Sequence, residues 1–184
     1  TLCWGEESAP IEPPQDVEFV ALALNGSDSS CGLRDDGRAM CWGEDIYQPD
    51  VLDTLRFRHL DAGLVTVCGV TDGEASLFCW GRWGFERRSP SGDPYVEAAA
   101  GFDHACARRE SGAVDCWSVL AATRSEYCWE NYDRFSEEWY EICVTGEEYG
   151  QGTAPDGEFI SLGSGSGHSC ALAADEALEC WGLN

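Results

Sequence analysis

An all-β fold built from repeated, disulfide-stapled blades is predicted for this chain by three observations. Cys-Trp pairs recur at Trp4, Trp42, Trp80, Trp117 and Trp181, and the first three intervals are 38, 38 and 37 residues, a period that marks a repeat architecture. Each unit holds three short apolar runs that alternate with small or polar residues, the pattern of half-buried strands, with turn residues between them. The chain carries 11 cysteines in 184 residues, and two of them fall on facing strands of every complete unit. A period of about 40 residues with several strands per unit is the pattern of propeller blades.

The chain opens on Leu2-Cys3-Trp4-Gly5, which reads as the last strand of a unit whose earlier strands would precede residue 1. The expectation is a chain that starts in mid-repeat and belongs to a longer polypeptide or an assembly, with Cys3 unpaired or bridged to a cysteine outside residues 1–184. Four complete units follow. In the first, Asp35-Asp36-Gly37 is a three-residue hairpin loop with Gly37 in the left-handed position, so that Arg34 pairs with Arg38 and Cys31 faces Cys41. In the second, Phe57 to Gly63, Val67-Cys68 and Ser76 to Gly81 are the three runs. The Cys68 to Cys79 spacing is one residue longer there, and a two-residue Gly73-Glu74 turn restores direct pairing. In the third, Tyr95 to Trp117, the Glu110-Ser111-Gly112 loop sets Cys106 across from Cys116. In the fourth, Phe159 to Trp181, Cys170 and Cys180 keep the spacing, but the loop is Ala174-Asp175-Glu176; without glycine, strain or a different turn is expected.

Directly opposed cysteines on antiparallel neighbours lie within disulfide reach. Zinc is the alternative, but there is no Cys-x-x-Cys and the chain has 3 histidines, so disulfides and an oxidising, extracellular or cell-surface compartment are expected. There is no apolar run of about 18 residues and no leader-like start in these residues.

The interval from Trp117 to Trp181 is 64 residues, one period plus about 26, and the excess lies in an insertion over residues 118–148. It contains Cys128 and Cys143, which can pair with each other, and the aromatics Trp129, Tyr132, Phe135, Trp139 and Tyr140. Phe135, Trp139 and Ile142 share one face of a short helix that Ser136 would cap. Rigid aromatics on a pinned excursion suit a partner-binding hot spot; the other reading is that this face folds down onto the blades. The strand tryptophans Trp42, Trp80, Trp117 and Trp181 are read as core packing between blades rather than ligand contacts.

Thirty-four acidic residues against eleven arginines give a formal charge of -23, a field that repels nucleic acid and anionic membranes and suits a protein partner. Calcium is the cofactor this acidity leaves open, but no Asp-x-Asp-x-Asp-Gly loop supports it, and no cofactor or metal ligand set is assigned. Gly163-Ser-Gly-Ser-Gly167 lacks the spacing and lysine of a phosphate loop and reads as a turn; no catalytic residue is assigned and the chain is expected not to be an enzyme.

Gly101-Phe-Asp-His104-Ala-Cys106-Ala, Gly167-His168-Ser-Cys170-Ala-Leu172, the Cys-Trp-Gly strands and Tyr149-Gly150-Gln151-Gly152 with Pro155 resemble the repeats of the regulator of chromosome condensation family. The likeness covers all but the insertion and is closest to the cysteine-containing type of secreted bacterial proteins. It implies a β-propeller scaffold that binds proteins, with His104 and His168 satisfying backbone groups at a strand start. One branch is similar to a propeller-type β-lactamase inhibitor, and the eukaryotic namesake promotes nucleotide exchange on a small GTPase. Ser29 and Thr66 stand where that motif has His, and Ser118 replaces the glycine of the third Cys-Trp-Gly. The expected function is therefore a non-enzymatic extracellular protein-recognition module. The alternatives are a structural subunit of a fibre or surface assembly, and an inhibitor of a secreted enzyme.

Overall fold

The computed structural model describes residues 13–25, 29–43, 47–73, 75–81, 86–88, 94–102, 104–118, 127–133, 138–144 and 150–183. Four antiparallel meanders repeat along the chain. Blade 1 is β1 (Phe19–Leu24), β2 (Ser29–Arg34) and β3 (Ala39–Gly43); blade 2 is β4 (Phe57–Ala62), β5 (Thr66–Thr71), β6 (Leu77–Gly81) and a short outer β7 (Glu86–Arg88). Blade 3 is β8 (Tyr95–Ala100), β9 (His104–Arg109) and β10 (Val114–Ser118). A separate two-stranded hairpin, β11 (Tyr127–Asp133) and β12 (Glu138–Val144), precedes blade 4, which is β13 (Phe159–Ser164), β14 (His168–Ala173) and β15 (Leu178–Gly182). Among the described residues no helix is long and apolar enough to cross a membrane.

Local turn chemistry sets the register of each blade. Arg34 and Arg38 close the first loop, Gly37 sits at φ 80° where a side chain is disfavoured, and the ladder places Cys31 opposite Cys41. Gly112, at φ 93°, does the same for Cys106 and Cys116. In blade 2 Cys68 faces Cys79, but the closing bond runs from Thr71 N–H to the Ser76 carbonyl around a four-residue loop. A two-residue turn at Gly73-Glu74 does not close it, because the Asp72 N–H donates instead to the Arg56 carbonyl; Glu74 itself lies outside the described residues.

Blade 4 keeps the three-residue loop without the glycine. Glu176 adopts φ 70°, and the Asp175 carboxylate accepts the Ala177 N–H as Asp36 accepts that of Arg38. A non-glycine residue in the left-handed region costs about 1–2 kcal/mol, part of which glycine would return as unfolded-chain entropy. Glu176→Gly is therefore expected to raise the unfolding free energy by about 0.5–1 kcal/mol, read as a higher urea midpoint at unchanged slope. A fall in the midpoint would show that the turn is not strained.

Disulfides join Cys31–Cys41, Cys68–Cys79, Cys106–Cys116 and Cys170–Cys180. Their Cα–Cα distances of 4.0–4.1 Å are those of directly opposed, closely approaching residues. The inner strand of every blade starts with an aromatic residue followed by a register shift, at Phe19, Phe57, Tyr95 and Phe159. The bulge turns that ring onto the outer-strand tryptophan of the same blade: Phe19–Trp42, Phe57–Trp80 and Tyr95–Trp117 have centroids 5.1, 5.6 and 5.9 Å apart.

The core lies between blades. Cys31, Leu33 and Cys41 of blade 1 pack with Val67, Phe78 and Trp80 of blade 2, and Cys68, Val70 and Cys79 of blade 2 pack with Ala105, Ala107 and Trp117 of blade 3. At these two boundaries the earlier blade's disulfide faces forward and the next blade's tryptophan faces back onto it. Trp42 and Trp80 are buried, Trp117 and Trp181 half-buried. The inner strand of each following blade, β4, β8 and β13, rests on the first two strands of the blade before it.

Candidate functional site

Three places in this scaffold carry chemistry-bearing residues: the insertion, the inner strands, and the boundary between blades 3 and 4. The insertion forms a β-hairpin, not the short helix expected over Phe135, Trp139 and Ile142. Glu138–Val144 is strand β12, paired along its whole length with β11. The segment is rich in aromatic and β-branched residues that alternate at period two, which outweighs a helical face only three positions long.

The register places Cys128 opposite Cys143, Tyr132 opposite Trp139, Asn131 opposite Tyr140 and Trp129 opposite Ile142. Strand alternation then puts positions 128, 132, 139 and 143 on one face and positions 129, 140 and 142 on the other. Phe135 and Ser136 lie outside the described residues, as does Cys3. The hairpin pairs with no blade in the sheet topology of the described residues.

Polar side chains of the inner strands reach across blade boundaries to backbone N–H groups. His59 Nδ1 accepts from Ala98 N–H at 3.2 Å, and Asp61 Oδ2 accepts from Ala100 N–H at 2.8 Å, joining β4 to β8. Glu97 repeats the device one blade on, where Oε1 accepts from Leu162 N–H at 3.3 Å while Oε2 holds Arg108 Nε at 2.7 Å. Arg58 donates to the Tyr95 carbonyl across the boundary between blades 2 and 3. These residues supply the edge-to-edge polar contacts that an inner strand lacks within its own sheet. Their partners are backbone groups of a different repeat, so only the recurrence of a polar residue two positions after the inner-strand aromatic, at His59, Glu97 and Ser161, hints at them in the sequence.

An imidazole that accepts at Nδ1 must be neutral. Burial pushes His59 below its ordinary value, outweighing the Glu97 and Asp61 carboxylates that pull it up. Burial also raises Asp61, against the pull of the Ala100 N–H. The unfolded chain binds the His59 proton at a higher pH than the folded chain does, so stability from this group is complete well above 6.5 and falls as the pH drops through that value. Thermal melts between neutral pH and about pH 5.5 are expected to show this loss, and His59→Gln to flatten it. An unchanged slope in His59→Gln would contradict the inter-blade role.

His104 is fully buried at the boundary between blades 3 and 4, where its Nε2 lies 2.9 Å from Ser169 Oγ. The expected partner was a backbone group; this contact is with a side chain, and Ser164 Oγ stands 2.8 Å from the same hydroxyl. A serine–histidine contact sealed from solvent has no approach for a substrate, and its role is to join two blades. Tyr95, Asp115 and Arg109 form a second, partly exposed cluster within blade 3. There the tyrosine hydroxyl donates to Asp115 at 2.8 Å, and burial and the carboxylate raise the phenol above its ordinary value. Among the described residues no group of three or more His, Cys, Asp or Glu side chains is arranged to hold a metal ion.

No protein-family model matches the chain. The CRINKLY WD40 ectodomain of the Arabidopsis thaliana receptor kinase ACR4 matches over 91% of this chain and 51% of its own, with 23% identity and a TM-score of 0.64. Yeast RCC1 (Prp20), in its structure bound to Kap60, matches over 94% and 45%, with 17% identity and a TM-score of 0.59. The fold is a β-propeller. Human WBSCR16 adds a third likeness, over 94% of this chain and 50% of that one, with 16% identity and a TM-score of 0.60. At these identities the likeness is one of fold, and this propeller chain spans about half the length of each structure it matches.

Proposed function

We propose that this propeller is a non-enzymatic extracellular protein-recognition module of the cysteine-containing, secreted type, and that the β11–β12 hairpin is its contact surface. The observation that carries the reading is the break in periodicity. Three blade-to-blade boundaries follow one packing rule, and the excursion from it among the described residues is a hairpin of seven-residue strands with five aromatics in its two strands. Loops and insertions on a rigid repeat scaffold are where recognition concentrates. Four disulfides accord with an oxidising compartment, and one propeller of similar fold is a receptor-kinase ectodomain. Trp129, Tyr132, Phe135, Trp139 and Tyr140 supply the apolar contact, and the formal charge of -23 favours a partner with a basic face.

The test is a partner captured from the extracellular fraction by the wild-type chain and then titrated against a Trp129→Ala, Trp139→Ala, Tyr140→Ala variant. Hot-spot aromatics cost about 2 kcal/mol or more each on truncation, so binding is expected to fall at least about 100-fold. The melting temperature is expected to stay within about 2 °C, because the strands lie outside the blades. Retained binding with a large loss of thermal stability would assign these residues to the core instead.

A further inference from the structure

The β11–β12 hairpin differs from the blades in what holds it together. Blade strands pair within sheets of three or four, whereas this sheet has two strands and pairs with no other strand among the described residues. A two-stranded hairpin alone is marginally stable in water. Its register enlarges the deficit. Of its seven cross-strand pairs, Glu130–Glu141 and Asp133–Glu138 set an acidic residue directly opposite another, and neither strand holds a basic residue. Directly opposed like charges destabilise a β ladder.

One rung can offset this. Cys128 stands directly opposite Cys143, next to the open end of the ladder. Cys31 and Cys41, Cys68 and Cys79, Cys106 and Cys116, and Cys170 and Cys180 share that register relation, and all four pairs are bridged. A bridge between Cys128 and Cys143 closes a loop of about 15 residues, longer than the 10 or 11 of the blade loops, and so removes more freedom from the unfolded chain. Blade bridges have further support: Cys31, Cys68 and Cys106 are fully buried, so parting them means parting blades. The hairpin can part its two strands and leave every blade sheet paired.

We propose that Cys128 and Cys143 form a redox gate on this hairpin, and the inference rests on the recognition role proposed for it above. Bridged, they hold the two strands in register as a contact surface; reduced by a dithiol, they release the hairpin while the blades stay folded. The step is thiol–disulfide exchange. One thiolate of the dithiol attacks a sulfur of the bridge, and the other cysteine leaves as a thiolate and takes up a proton. The second sulfur of the dithiol then displaces the first cysteine. Both cysteines end as thiols and the dithiol ends as a disulfide, so electrons and protons balance. Without the bridge the two acidic pairs oppose the ladder unchecked, and the folding equilibrium of the hairpin falls on the order of 100-fold.

The test is hydrogen–deuterium exchange of the full chain without partner, wild type against the Cys128→Ser, Cys143→Ser double variant. That variant reproduces the open gate and leaves every blade cysteine in place. Amides of β11 and β12 are expected to exchange on the order of 100-fold faster in the variant, with β2, β5 and β9 unchanged. Peptide maps of the unreduced wild type are expected to contain Cys128 linked to Cys143. Under rising dithiothreitol, alkylation of these two is expected to precede that of Cys31, Cys68 and Cys106. Equal protection of the hairpin in both proteins, free thiols at Cys128 and Cys143 in the oxidised chain, or blades that loosen together with the hairpin would each overturn the gate and leave the recognition role standing. Titration of the captured partner separates the two claims: binding lost by a variant whose hairpin alone has opened supports both, and binding that survives the opening overturns the recognition role and the gating of it.

Discussion

Complete reduction in the absence of denaturant is expected to unfold the protein. Each blade disulfide closes a hairpin of 10 or 11 residues, and bridges over such loops contribute about 2–4 kcal/mol each. Four together amount to about 10 kcal/mol, comparable to the whole stability of a typical domain. The bridges also form part of the apolar floor between blades, where Cys31, Cys68 and Cys106 are fully buried. The order of opening follows exposure. Cys170–Cys180 lies on the open face of blade 4 and is expected to yield first to a mild reductant, before the three covered by a neighbouring blade. Circular dichroism that stays native after full thiol alkylation would contradict the stapling role.

Trp80→Ala is expected to cost about 3–5 kcal/mol, the range for removing a large buried aromatic. Trp80 is fully buried between blades 1 and 2, with Phe57 and Phe78 at centroid distances of 5.6 and 5.7 Å. Its indole N–H has no hydrogen-bond partner among the described residues, so its contribution is packing. Trp80→Phe, which keeps a ring and removes that unsatisfied donor, is expected to cost clearly less than Trp80→Ala. Trp181→Ala is the internal control: that ring is only half-buried, and its loss should cost a fraction of the Trp80 value. Equal costs for Trp80 and Trp181 would contradict the link between burial of the ring and its contribution to stability.

Blade architecture was legible because it is written in local spacing. Loop length and a left-handed glycine determine which residues of a hairpin face each other, so Cys31 and Cys41 could be placed from Asp35-Asp36-Gly37 alone. The same logic marked Ala174-Asp175-Glu176 as a strained version, and Glu176 has the positive φ that this requires. Longer-range features were not legible. The contact of His104 with Ser169 spans 65 residues, and those of His59 and Asp61 with β8 span 39. No local pattern specifies such partners. The insertion was misread because three apolar positions at helical spacing suggest one face, whereas pairing with Tyr127–Asp133 makes the segment a strand and sets Trp139 and Ile142 on opposite faces of it.

The central claim is that a rigid propeller presents the β11–β12 hairpin for protein recognition. Hydrogen–deuterium exchange of the chain with and without its captured partner tests it most directly. The account predicts new protection concentrated in residues 119–148, with the inner strands β1, β4, β8 and β13 unchanged. Protection confined to those inner strands, with the hairpin exchanging as it does in the free protein, would contradict it.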